Sequence, residues 1–135
     1  MQQIFFLKNQ NRFILPAIGW LVFTTILLTL PVSAFPRERW FINIPMLDKW
    51  VHIGLFIIMA VLLCWGFYKK KTNFSETVRQ RFITIGICCL VYGVIMEFVQ
   101  KYFVPNRSFD PGDIIADGAG AAIGVLYSIK RYIKK

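Results

Sequence analysis

Four stretches of the chain are almost wholly apolar, and the polar residues gather between them and at the two ends. The first, 13–34, carries no charge and lies between Arg12 and the cluster Arg37, Glu38 and Arg39. In the second, 48–68, His52 is the only group past Lys49 that titrates near neutrality. The third, 82–103, contains Glu97. The fourth, 111–129, is the weakest, free of charge only from 118 to 129, yet too apolar and too rich in small residues for a solvated helix. Each is close to the roughly 20 residues that a helix needs to cross the hydrocarbon of a bilayer. The pattern predicts an all-α fold, an integral membrane bundle of four transmembrane helices forming a single domain over 1–135.

Charge sharpens this picture. The chain is 56% hydrophobic and carries a formal net charge of +9, a pairing rare in soluble domains and natural where basic connections join apolar spans. Lys8 and Arg12, then Lys69, Lys70, Lys71, Arg79 and Arg81, then Lys130, Arg131, Lys134 and Lys135 outnumber the bases of the other two connections. The excess of Lys and Arg on cytoplasmic segments predicts both termini inside, with 35–47 and 104–112 outside. Nucleic acid is not an expected partner, because the bases form no stripe interleaved with aromatics. Val32-Ser33-Ala34 resembles a cleavage site, but the apolar run before it exceeds the roughly 7–15 residues of a signal core. Trp40, Phe41, Trp50, Trp65, Phe67 and Tyr68 suit interfacial belts, and 37–46 suits a segment lying along the membrane surface. Cys64, Cys88 and Cys89 sit in apolar runs without a CxxC spacing and read as packing residues.

Against this background the intramembrane polar residues are the informative ones, since hydrocarbon penalises ionisable side chains by ~2.5 kcal/mol or more. They are His52, Glu97, Gln100, Asp113 and Asp117, joined by Arg107 in the third connection. His52 lies one turn past Asp48, roughly 6 Å into its span at 1.5 Å per residue. Glu97 lies between one and two turns before the third span ends, and Asp117 lies one turn past Asp113. Three helices thus bring polar groups to a similar depth on one side. Spacing puts Asp48 with His52, Glu97 with Gln100 and Lys101, and Asp113 with Asp117 on shared faces. Pro105 and Asn106 break the third helix. Asp110-Pro111-Gly112-Asp113 reads as a helix start, with Asp110 as the cap and Asp113 in the first turn, as cap or as site. Gly120 and Gly124, with Ala116 and Ala121, form a small-residue face that packs the fourth helix closely on a neighbour.

The ordered set Asp48-Lys49-x-x-His52, Glu97-x-x-Gln100, Pro105-x-Arg107, Asp113 and Gly120-x-x-x-Gly124 resembles the VanZ-like family of small bacterial membrane proteins over about residues 30–126. The resemblance implies a site containing Asp48, Lys49, His52, Glu97, Gln100, Arg107 and Asp113. Where that family usually has Asn four residues after its last Asp, this chain has Asp117. The resemblance also implies a bacterial cytoplasmic membrane, and an association with tolerance of the lipoglycopeptide teicoplanin. It carries no reaction with it.

Three functional readings follow from the residues. A binding site would use Arg107, with Lys49 and Lys101 nearby, for phosphate or carboxylate, and the carboxylates for Arg107 itself or for amines. Its partners would be membrane lipids, a lipid-linked cell-wall precursor or an acyl-bearing lipoglycopeptide. An intramembrane enzyme would use His52, Glu97 and Asp113 for acid–base work, although neither HExxH nor GxSxG is present. The same groups could ligate a divalent metal, but no metal motif or cofactor is called for. A structural network would satisfy itself, with Arg107 on Glu97 or Asp113 and Gln100 bridging. The binding reading is the expectation, with the pocket facing outward and enzyme activity the less favoured alternative.

Overall fold

The computed structural model describes residues 13–35, 44–69 and 75–133, and what is described is helical. Helix α1 runs Leu15–Thr29, α2 Leu47–Lys69, α3 Ser75–Phe103 and α4 Pro111–Tyr132, with a short 3-10 turn at Val32–Ala34. Three segments, Leu47–Lys69, Val78–Phe103 and Pro111–Tyr132, are long and apolar enough to cross a membrane. Helix α1 is shorter than its apolar run: 15 residues rise about 22 Å, under the ~30 Å of hydrocarbon. Pro31 stops it. A proline disfavours helical backbone in the residue before it, and Leu30 is extended, at φ −67 and ψ 136. The segment 37–43, with Arg37, Arg39, Trp40 and Phe41, lies outside the described residues, as do Lys8, Arg12, Lys70, Lys71, Lys134 and Lys135.

The end of α3 and the start of α4 have local causes. At the end of α3, Asn106 adopts φ 61, a left-handed value that Asn tolerates, and the Arg107 amide turns back to the Val104 carbonyl at 3.3 Å. Helix α4 starts with an extended Asp110 whose side chain accepts from the Gly112 amide, followed by Pro111.

Among the described helices the α2–α4 pair is the most intimate. A Cβ on Gly120 would lie 2.5 Å from the Ile53 carbonyl oxygen, and one on Gly124 2.7 Å from that of Ile57. Only hydrogen fits at those two places, so the glycine face brings α4 onto the backbone of α2. The apolar core, with Phe56, Met59, Ala60, Cys64, Phe82, Cys89 and Val125, fills the bundle away from its polar end. Outward positions such as Ile18, Val22, Ile58, Ile87, Val91, Ile95, Ile123 and Leu126 are exposed and apolar. In water such a surface would aggregate; it matches hydrocarbon.

Helix α1 lies along the bundle rather than across it. The Phe13 ring meets Trp65 edge-on at 5.7 Å. The Trp20 indole donates to the Leu55 carbonyl at 2.9 Å, and Thr25 and Tyr92 share a hydroxyl bond of 2.9 Å. At its far end the Leu28 carbonyl accepts from Gln100 Nε2 at 2.8 Å.

Candidate functional site

The N-terminal turns of α2 and α4 and the C-terminal turns of α3 meet at one end of the bundle. His52, Glu97, Gln100, Asp113 and Asp117 are all buried there, with at most 4% of each residue exposed. Four of these five share one polar centre. His52 Nδ1 lies 2.8 Å from Asp117 Oδ1. With Asp117 ionised, Nδ1 carries the proton in that bond, because a carboxylate only accepts. His52 Nε2 faces Asp113 Oδ2 at 3.8 Å, too far for a hydrogen bond. Ligand atoms of His52, Glu97 and Asp113 all lie within 4.8 Å of one another.

Lys49 is the hub of an outer layer. Its ammonium contacts Asp110 Oδ2 at 2.6 Å, Asp113 Oδ1 at 3.1 Å and Asp48 Oδ2 at 3.3 Å. Asp113 therefore links the two layers, one oxygen on Lys49 and the other turned to His52, and the helix cap is Asp110. The Lys49 ammonium beside Asp110, together with the Gly112 amide, holds the Asp110 carboxyl below its ordinary range. Glu97 reaches across from α3, and its Oε2 accepts the Asp110 backbone amide at 3.0 Å, pinning the start of α4.

Two expectations are corrected. Arg107 is held by neither Glu97 nor Asp113; Lys49 takes that position instead. Among the described residues the Arg107 side chain has no ion pair or hydrogen bond, and its Nε is buried without a partner. Gln100 does not bridge within the centre, because three residues along a helix rotate it away from Glu97 and onto the Leu28 carbonyl of α1. Lys101 points elsewhere too, its ammonium over the rings of Tyr102 and Phe109 at 5.2 and 6.0 Å.

The structure adds Gly93. A Cβ there would lie 2.5 Å from Asp117 Oδ2 and 2.9 Å from Asp117 Cβ, so the missing side chain makes the room that Asp117 occupies. Its place one turn before Glu97, on the same face, is the signal that could have found it. The centre is not self-satisfied among the described residues: Glu97 Oε1 and Asp117 Oδ2 are buried without hydrogen-bond partners.

Over residues 2–131 the sequence matches the VanZ/LLP1 family. The chain belongs to the VanZ/LLP1 family. An uncharacterized protein of Schizosaccharomyces pombe is 28% identical over 122 residues, which cover 88% of this chain and 71% of that protein. No solved structure matches the chain. VanZ/LLP1 membership and three helices fit to cross a bilayer together point to a membrane protein.

Proposed function

We propose that this VanZ/LLP1 protein recognises the phosphate-bearing head group of a membrane phospholipid at the polar end of its bundle. The observation that carries the reading is Arg107, half-buried, with a buried Nε that has no partner among the described residues. A guanidinium is a planar fork of donors suited to phosphate oxygens. Lys49 does not compete for the ligand, because three carboxylates already surround it.

In this reading the chain crosses the membrane four times. Helix α1 is short, but together with Phe13 just before it, it makes contacts from Trp65 near one end of the bundle to Gln100 near the other. Both termini are cytoplasmic in a bacterial inner membrane, since Lys69, Arg79, Arg81, Lys130 and Arg131 share the end away from the polar centre. The site then opens to the outer leaflet.

The test is titration of the purified protein with a soluble short-chain phosphatidylglycerol, read by thermal shift. Saturable stabilisation, weakened tenfold or more by Arg107→Ala in a protein of unchanged basal stability, is the expected result. Equal stabilisation of wild type and variant would remove the proposal.

A further inference from the structure

The orientation of His52 carries a second conclusion, independent of any lipid. Its Nδ1 is committed to Asp117 Oδ1 at 2.8 Å. The other ring nitrogen, Nε2, makes no hydrogen bond among the described residues and is turned to Asp113 Oδ2 at 3.8 Å. Glu97 brings a carboxylate oxygen within 4.8 Å of a ring nitrogen of His52 and of a carboxylate oxygen of Asp113. This is the arrangement of a metal-ligating histidine, in which a carboxylate on one ring nitrogen fixes the tautomer and raises the basicity of the other.

A second observation points the same way. Glu97 is 1% exposed, yet its Oε1 has no hydrogen-bond partner; leaving a buried carboxylate oxygen bare costs about 1–3 kcal/mol or more. Among the described residues the cluster also holds more acid than base: Glu97, Asp110, Asp113, Asp117 and Asp48 face only Lys49 and His52. A bound cation answers both. The 3.8 Å gap between Nε2 and Oδ2 is too long for a hydrogen bond, but one ion about 2.0–2.2 Å from each atom spans it.

We infer that His52 Nε2, Glu97 and Asp113 form a binding site for a first-row divalent cation of the Zn²⁺ or Mn²⁺ type, with Asp117 as the partner that orients His52. One imidazole nitrogen with two carboxylates suits such ions better than Mg²⁺ or Ca²⁺, which take oxygen ligands. Asp113 serves the ion through the oxygen turned to His52 while the other stays on Lys49. The second acidic group, Asp48, Asp110 and Asp113, is not the site, since the Lys49 ammonium already sits against all three.

The test uses full-length protein stripped with a chelator and titrated with Zn²⁺ alone, followed by calorimetry and by ¹⁵N NMR of its single histidine. One equivalent should bind, with the Nε2 resonance shifting while Nδ1 keeps its proton. Asp117→Asn should weaken binding about 10–100-fold, the range for an orienting partner, and His52→Ala or Glu97→Gln should weaken it at least as much. Absence of saturable binding to wild-type protein, or binding that leaves the histidine resonances unmoved, would overturn the assignment without relying on any variant to fold. So would binding abolished by Asp48→Asn and untouched by His52→Ala.

Discussion

Replacing Gly120 by alanine should unseat the polar centre from a distance. The added Cβ would lie 2.5 Å from the Ile53 carbonyl oxygen, whereas ordinary contact begins at 3.4 Å. The obstacle is backbone, so α4 must retreat from α2 by about 0.9 Å rather than a side chain stepping aside. His52 adjoins Ile53, and Asp117 lies one turn before Gly120. Adding that retreat to the 2.8 Å His52–Asp117 bond gives about 3.7 Å, beyond hydrogen-bond reach. Overpacking costs about 1–3 kcal/mol, offset by up to ~1 kcal/mol from the better helix propensity of alanine. The net is a loss of about 0–3 kcal/mol, and of about 1–3 kcal/mol relative to a glycine-to-alanine change that gains the same propensity without the clash. Equilibrium unfolding in mixed SDS–dodecylmaltoside micelles measures it, and ¹⁵N NMR of the single histidine reads the bond. Gly54→Ala is the matched control, since its Cβ meets nothing within 4 Å; it should be neutral or slightly stabilising. If Gly120→Ala proves as stable as Gly54→Ala with its histidine signals intact, the close approach of α2 and α4 does not hold the site.

Three further outcomes follow from the same contacts. Lys49→Met leaves Asp113, whose side chain is 6% exposed, beside Asp110 and Asp48 without their common cation; a loss of roughly 1–3 kcal/mol is expected once solvent screening at the outer two is discounted, measured by the same unfolding assay. Asp110 titrates below its ordinary value of 3.8 because Lys49 stabilises its anion. Its contribution is therefore whole above that value and lost as pH falls from there through the lower folded value. The acid limb of a stability–pH profile should flatten in Asp110→Asn, and an unchanged limb would contradict the pairing. Gln100→Leu removes the bond to the Leu28 carbonyl, costing about 1 kcal/mol and loosening α1; faster hydrogen exchange at residues 24–30 reports it, with α2 and α4 unaffected.

Much of this architecture is written in the chain because hydrocarbon leaves few alternatives. A helix satisfies its own backbone, so the apolar lengths of α2, α3 and α4 were legible, and Gly120 and Gly124 announced a close neighbour. His52, Glu97, Asp113 and Asp117 could be grouped by depth alone. What depth does not give is rotation. Gln100 sits one turn from Glu97, yet the remaining offset is enough to send it to α1. Lys49 looked like a free head-group cation beside Arg107, because only the register set by Gly120 and Gly124 brings Asp110 and Asp113, some 60 residues on, to within 3.1 Å of its ammonium. The shortness of α1 was signalled by Pro31, whose effect on the preceding residue outweighs an unbroken apolar run. Gly93 carried no chemistry of its own and became meaningful only when Asp117 was seen lying against it.

In the proposed recognition, Arg107 is the cation left free for a ligand while Lys49 is spent inside the protein. Native mass spectrometry of protein purified from membranes, with detergent stripped stepwise in the gas phase, measures this directly. Wild-type chains should keep one phospholipid after bulk lipid is gone, and Arg107→Ala should lose it while Lys101→Ala retains it. Equal retention by wild type and Arg107→Ala, or a wild type that sheds every lipid with its detergent, would contradict the account.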